Sequence, residues 1–195
     1  MAARFSHGYN PNGVLAYFVS FRCYGTWLHG DARSSTDRDT HHSYGAPPIA
    51  PDPAREGRER ALLRHAVMRL DDNMRVVVDQ AVRDVCRHRL WHLYAANVQR
   101  DHVHTVVAAP GIKPESVMSA FKAWAARRMR EAGLMDGRSR VWSRHGSTIW
   151  LWTDKQLDNA IRYTLYGQGT PPSEYREATD KAVQEEESGT SCDMR

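Results

Sequence analysis

Residues 90–110, LWHLYAANVQRDHVHTVVAAP, are the segment that most constrains the fold. Two apolar runs are separated by the polar corner QRD. This pattern predicts two strands, over 90–100 and from residue 102 onward, that pair as an antiparallel hairpin. Because side chains alternate between the two faces of a strand, His102 and His104 are expected to point to the same side. The opposite side is expected to carry Val103, Thr105 and Val107.

The two histidines have a possible chemical role. Two imidazoles on one face of a strand, about 7 Å apart along it, can share a metal ion. The same pattern also occurs as two polar residues at a strand end, so the pair alone leaves both interpretations open.

Further strand and helix patterns flank the hairpin. Strands are expected over 14–28 and over 147–154. Helices are expected over 54–66, over 70–89 with Asp71 or Asp72 as N-cap, over 113–133, and over 154–169 with Asp154 as N-cap.

The order of these elements is typical of the ferredoxin-like split βαβ arrangement with one helix added. We therefore predict an α+β fold, in which an antiparallel four-stranded sheet carries helices on one face. The added C-terminal helix carries a tyrosine, and the two histidines lie on a central strand.

Charge divides the chain into a basic body and an acidic tail. Residues 1–169 contain 24 basic and 16 acidic residues, whereas residues 170–195 contain three basic and seven acidic residues. We expect one domain over 1–169, with a long loop over 29–53, and a disordered tail over 170–195. A basic body suits a polyanionic partner such as nucleic acid, although the same charge also serves solubility alone.

Several classes of protein are excluded by composition. No segment approaches the roughly 20 apolar residues of a membrane span, and the N-terminus lacks the apolar core of a signal peptide. We therefore expect a cytoplasmic protein that does not bind membranes. The three cysteines form no CxxC pair, so neither a thiolate zinc site nor a disulfide framework is predicted.

The last predicted helix carries two tyrosines outside its apolar stripe. The stripe is formed at helical spacing by Leu157, Ala160, Ile161, Thr164 and Leu165. Tyr163 flanks this stripe, whereas Tyr166 lies nearly opposite to it. Tyr163 therefore reaches the sheet more easily, but either residue is also compatible with an ordinary surface tyrosine.

DHVHTVV, followed later by AIRYTLYGQG, resembles the single-tyrosine HUH transposases, and more narrowly their REP-associated tyrosine transposase branch. The segments YFVSFRCYGTWLHGDAR, AFKAWAARRMREAG and WSRHGSTIWLW are similar too, so the likeness extends from about residue 14 to about residue 170. An HxH motif alone is a weak signal. The same motif with these flanking segments, in this order, is a specific one.

The resemblance implies metal-dependent cleavage and strand transfer on single-stranded DNA, at hairpin-forming repeated elements. His102 and His104 would hold Mg²⁺ or Mn²⁺ against the scissile phosphate. Tyr163 would attack the phosphorus and form a 5′-phosphotyrosine link, which preserves the bond energy for rejoining. The protein would act as a monomer or a homodimer.

The third metal ligand departs from the family pattern. Related proteins supply Gln or Asn four residues after the tyrosine, a position that Gly167 occupies here. The resemblance therefore implies Gln168 as the ligand, because Gly167 and Gly169 allow the helix end to unwind.

Five further residues are expected to contact DNA. Lys122, Arg127 and Arg128 are expected to form a basic helix face, which otherwise is simply solvated. His29 and Arg33 follow the first strand and are expected to line the DNA groove. Asp101 is not expected to orient His102, because neighbouring residues on a strand point apart.

A second class of function fits the same residues. The chain could be a catalytically silent protein that binds single-stranded nucleic acid on the same fold, with no activity to lose on Tyr163→Phe or His102→Ala. A zinc or iron hydrolase is disfavoured, because no further carboxylate or histidine stands at a readable spacing from the HxH pair.

Overall fold

The computed structural model describes residues 13–31 and 50–167. The tail, most of the 29–53 loop, Arg33 and Gln168 lie outside these ranges. The elements of the described part are β1 (Ala16–Cys23), α1 (Pro53–Ala61), α2 (Asp72–Arg89), β2 (His92–Val98), β3 (His102–Ala108), α3 (Pro114–Glu131), β4 (Trp142–Leu151) and α4 (Asp154–Tyr166).

The four strands form one antiparallel sheet in the order β2-β3-β1-β4. This order, with α2 and α3 as the connecting helices, is the ferredoxin-like arrangement, so the predicted fold class is confirmed. β3 and β1 are the two central strands. The HxH strand is therefore hydrogen-bonded along both edges, which fixes the direction of its side chains.

One face of the sheet carries the main hydrophobic core. Val19 and Phe21 of β1 and Val103 and Val107 of β3 are fully buried there. They belong to the same cluster as the buried residues of α2 and α3. The predicted alternation of β3 is thus confirmed, because its odd-numbered valines face these two helices.

α4 packs against the opposite face of the sheet. Leu157 of α4 is buried with Val106 and Leu151 in a second, smaller cluster, against which Ala160 and Ile161 also pack. The apolar stripe predicted for the last helix is therefore the surface that contacts the sheet.

A side-chain hydrogen bond adds to this packing. Asn97 Nδ2 on β2 donates to the backbone oxygen of Thr164 at 2.8 Å. Both side chains are buried, so the bond forms away from competing water.

Two strand boundaries differ from the sequence predictions by more than the others do. β1 ends at Cys23 rather than at residue 28, because the chain turns at Gly25, whose φ of +72° favours glycine. β4 begins at Trp142, well before residue 147, and pairs there with Cys23 across a register shift. The irregular pairing hides this part of the strand from a simple alternation pattern.

The predicted N-cap of α4 is wrong. Thr153 occupies that position and forms a capping box with Gln156, while Asp154 is the first residue of the helix. For α2, Asp71 is the N-cap and accepts a hydrogen bond from the Met74 amide at 2.8 Å. In the described ranges, no helix is long and apolar enough to cross a membrane.

Gly146 of β4 allows α3 to approach the sheet closely. A Cβ atom at this position would overlap both Met118 Sδ of α3 and the backbone oxygen of Ser20. Ser20 is also the residue whose Oγ lies beside Nδ1 of His104.

We expect Gly146→Ala to lower the free energy of unfolding by about 1–3 kcal/mol, as overpacked core positions do. Urea denaturation followed by circular dichroism measures the change. Gly137→Ala is the matched control, because a Cβ atom there meets no heavy atom within 4 Å. Equal effects of the two substitutions would contradict the overlap at Gly146.

Candidate active site

His102 and His104 lie side by side on the face of the sheet that α4 covers in part. Their ring centroids are 4.7 Å apart, and the ring planes are steeply inclined to each other. The structure therefore brings the two imidazoles together on one face, as the alternation of β3 predicts.

Asp101 holds His102 in place, so the expectation that it would point away was wrong. Its Oδ1 lies 2.6 Å from Nδ1 of His102. Because β3 begins only at His102, Asp101 belongs to the preceding bend, where strand alternation does not apply. Its backbone oxygen accepts hydrogen bonds from Cys23 N at 2.8 Å and Thr26 Oγ1 at 3.2 Å, which anchor the bend to the end of β1.

Ser20 and Phe18 of β1 hold His104. Ser20 is paired with His104 in the strand register, and its Oγ lies 2.6 Å from Nδ1 of the ring. Phe18 stacks on the same imidazole, with ring centroids 5.2 Å apart and planes inclined by 9°. Ser20 was not predicted from the sequence, although the lone hydroxyl within the apolar run YFVSF was a usable signal.

Arg22 belongs with Phe18 and Ser20 to one row of side chains on β1, and it was not predicted from the sequence either. It pairs with His102 in the register, and its Cζ lies 3.3 Å from the centroid of the Trp27 ring. Because Phe18, Ser20 and Arg22 are spaced by two, they share the face that carries the histidines. This spacing could have revealed the row before the structure was known.

The surroundings of His104 keep its imidazole neutral. Burial, followed by charge repulsion from His102 and Arg22, lowers the pKa of His104 to about 3, and the Asp101 carboxylate opposes these effects. A neutral imidazole retains the lone pair that a metal ion requires.

The two histidines have the chemistry of ligands for a divalent metal ion. Each ring has its Nδ1 engaged, by Asp101 or by Ser20. In each ring Nε2 would be the coordinating nitrogen, as in the carboxylate–histidine arrangement common around protein metals. Within residues 13–31 and 50–167, no group of three or more His, Cys, Asp and Glu side chains is arranged to hold a metal. The predicted third ligand, Gln168, lies outside those ranges.

Tyr163 is the tyrosine that α4 places against the histidines. Its ring centroid lies 5.7 Å from that of His104 and 5.8 Å from that of Phe18. The Tyr163 side chain is half-exposed, whereas Tyr166 is 75 % exposed. The phenol that neighbours His104 is thus also open to solvent, where a large substrate could reach it.

The three basic residues predicted on α3 do not form one charged face. Lys122 is partly buried, and its Nζ donates to the backbone oxygens of Ser143 at 2.9 Å and His145 at 3.1 Å. Burial, followed by the charge of Arg140, lowers the pKa of Lys122 to about 8. Lys122 therefore links α3 to β4, contrary to the exposed position expected for it.

The two arginines of this predicted face are exposed and form ion pairs. Arg127 lies 3.5 Å from Glu131, and Arg128 lies 3.4 Å from Asp84 of α2. α3 packs on the sheet face opposite to His102 and His104, so the structure does not bring these arginines to the histidines.

His29 lies beyond the end of β1. Its backbone amide donates to Glu59 Oε2 of α1 at 2.9 Å. Arg33, the other loop candidate, lies outside the described residues. The expected contacts of both residues with DNA stay predictions.

Two solved structures are similar to this chain. A REP-associated tyrosine transposase bound to a REP hairpin shares 13% identity and a TM-score of 0.42, with 86% of this chain and 72% of that chain covered. A protein of Deinococcus radiodurans R1, provisionally assigned as a transposase, shares 16% identity and a TM-score of 0.43, with 87% of this chain and 99% of that chain covered. Both TM-scores are low, and neither likeness carries the assignment of fold or function. Among curated proteins, none matches the chain significantly.

A family model describes a large part of the domain. Residues 62–154 match the model for "Transposase IS200 like". The matched range includes β2, β3, β4 and both histidines, and it ends before Tyr163. Over residues 62–154, just under half of its length, the chain is therefore similar to the family of IS200-like transposases.

Proposed function

We propose that this chain is a transposase, and that it cleaves and rejoins single-stranded DNA through Tyr163, with a divalent metal ion bound by His102 and His104. The observation that carries the proposal is the contiguity of the three side chains. The Tyr163 ring centroid lies 5.7 Å from that of His104, which lies 4.7 Å from that of His102. A nucleophile beside a candidate metal site is the arrangement that metal-assisted phosphoryl transfer requires.

The reaction at Tyr163 is a transesterification. The phenolic oxygen forms a bond to phosphorus, and the bond from phosphorus to the 3′ oxygen of the DNA breaks. Tyr163 loses its proton, the departing 3′ oxygen gains one, and the 5′ phosphate stays on the tyrosine. A 3′-OH from another strand reverses the reaction, because a phenol, with an ordinary pKa of about 10, is a good leaving group.

His102 and His104 are the proposed ligands of Mg²⁺ or Mn²⁺, with Gln168 as the third. When bound, such an ion supplies positive charge that stabilises the phosphate during transfer. Asp101 and Ser20 hold the two rings through Nδ1, so little ordering of the imidazoles remains to be done on binding.

We also propose a DNA target, residues that contact the DNA, a cellular location and an oligomeric state. The target is a hairpin-forming repeated element, as the sequence resemblance implies. Lys122, Arg127, Arg128, His29 and Arg33 remain the proposed sites of contact with more distant parts of the DNA. The protein acts in the cytoplasm, as a monomer or a homodimer.

We expect the protein to form a covalent adduct with single-stranded DNA. Labelled strands that carry hairpins from the flanks of the gene are incubated with the protein and Mg²⁺ or Mn²⁺, and are resolved on denaturing gels. The adduct should require the metal and be absent in Tyr163→Phe, because the phenylalanine has no hydroxyl to attack phosphorus. Tyr166→Phe is the matched control and should retain the adduct.

Each alternative has its own pattern in this experiment. An adduct that persists in Tyr163→Phe but is absent in Tyr166→Phe would move the nucleophile to Tyr166. Binding of the strands without any adduct, across several flanking hairpins, would instead support a catalytically silent binding protein.

Asp101→Asn should weaken Mn²⁺ binding by roughly 10–100-fold, because a metal-bound imidazole depends on its Nδ1 partner for orientation and basicity. Isothermal titration calorimetry without DNA measures this affinity. Asp158→Asn, at an exposed aspartate of α4, is the control. An unchanged affinity in Asp101→Asn would show that this carboxylate does not assist metal binding.

The His104 imidazole should stay neutral far below the ordinary histidine pKa of about 6.5. Its pKa of about 3 means that the folded protein binds fewer protons than the unfolded chain between these two pH values. The contribution of His104 to stability is therefore complete above pH 6.5 and is lost as the pH falls towards 3. Imidazole NMR signals followed from neutral to acidic pH test this, and a midpoint near 6.5 for His104 would contradict it.

A further inference from the structure

We propose that Arg22, stacked on Trp27, is the residue that binds a DNA phosphate beside the histidine pair. The inference rests on the proposed function, because it takes single-stranded DNA as the ligand of this face. It adds a phosphate-binding position that neither the HxH motif nor the tyrosine supplies.

The strand register places Arg22 at the site. Arg22 is paired with His102, just as Ser20 is paired with His104. Ser20 and Phe18 both contact His104, which establishes that this row of β1 faces the imidazoles. Arg22 is the next member of the row, at the end away from Phe18.

Trp27 restricts the orientation of the guanidinium. The Arg22 Cζ lies 3.3 Å from the centroid of the indole, and both side chains are partly buried. Such stacking uses the flat face of the guanidinium, whereas its N–H donors project from the edge. A guanidinium held in this way is suited to the paired oxygens of a phosphate, because less side-chain freedom is lost on binding.

The positive charge of Arg22, together with a cation at the histidines, would favour an anion between them. Arg22 carries a permanent positive charge and is paired with His102 in the strand register. A divalent cation at the two imidazoles would therefore be repelled by the Arg22 guanidinium. A phosphate that contacts both the cation and the guanidinium converts this repulsion into two attractions, so Arg22 should oppose metal binding without DNA and favour DNA binding.

The test separates these two effects. Binding of a fluorescent, mixed-sequence single-stranded oligonucleotide is measured by anisotropy in EDTA, over a series of salt concentrations. Arg22→Met should weaken binding about tenfold, as loss of a charged hydrogen bond does, and reduce the slope of log K against log salt by about 0.7, the value for one phosphate contact. Calorimetry without DNA should show Mn²⁺ binding that is equal to or tighter than in the unsubstituted protein.

Two variants control for charge and for folding. Arg89→Met removes another arginine that lies over a tryptophan, 5.3 Å from the Trp91 centroid, and should leave binding of the oligonucleotide unchanged. Arg22→Lys keeps the charge but not the planar fork, so it should keep the salt slope and lose part of the affinity. If Arg22→Met does not fold, Arg22→Lys decides, and an unchanged affinity in that variant overturns the proposal.

The outcomes distinguish failure of this inference from failure of the proposed function. A metal-dependent adduct in the unsubstituted protein, with unchanged oligonucleotide binding in Arg22→Met, would overturn only the role of Arg22. A reduced salt slope in Arg22→Met, without any adduct in the unsubstituted protein, would keep Arg22 and overturn the chemistry. Absence of both oligonucleotide binding and the covalent adduct in the unsubstituted protein would overturn both. Weaker Mn²⁺ binding in Arg22→Met would give Arg22 a structural role instead.

Discussion

The pairing of β1 with β3 is the interaction on which the rest of the structure depends. Its register sets Ser20 beside His104 and Arg22 beside His102. A slip of one residue would turn every side chain of a strand to the other face. It would expose Val103 and Val107, which are now fully buried, so hydrophobic burial is what keeps the imidazoles on the opposite side. The stability of one face therefore fixes the geometry of the other.

The two faces of the sheet have different tasks. α2 and α3 cover one face with a continuous apolar core that includes Phe21 and Phe121. The other face mixes a small apolar cluster with polar side chains that contact one another, including the Asp101–His102 pair at 2.6 Å. Such polar groups lose solvation on burial, and hydrogen bonds within the site offset that loss. α4 is the element that joins the two kinds of surface, because Leu157 packs on the cluster while Tyr163 lies beside His104.

The periodicity of apolar residues predicted the fold and the histidine pair, because each strand and each helix buries one face and therefore carries apolar residues at regular spacing. It failed where local structure departs from the repeat. Asp101 lies in a bend, so strand alternation gave the wrong direction for its side chain. Thr153 caps α4 through a reciprocal bond with Gln156, which competes with the more obvious Asp154. Helical spacing alone predicts an exposed Lys122. Its side chain turns inward because the backbone oxygens of β4 accept hydrogen bonds from it. Ser20 and Arg22 acquire meaning only once β1 is aligned with β3.

The attachment of α4 has a consequence for motion. The helix is held by the small cluster around Leu157 and by the buried hydrogen bond from Asn97 to Thr164, whereas the sheet is held by the larger core beneath α2 and α3. Elements with less buried apolar surface open locally at a lower free energy than the domain as a whole. We therefore expect α4, with Tyr163, to open as a unit at a lower free energy than the sheet. Any group attached to the Tyr163 oxygen travels with that unit, while the imidazoles stay fixed in the sheet.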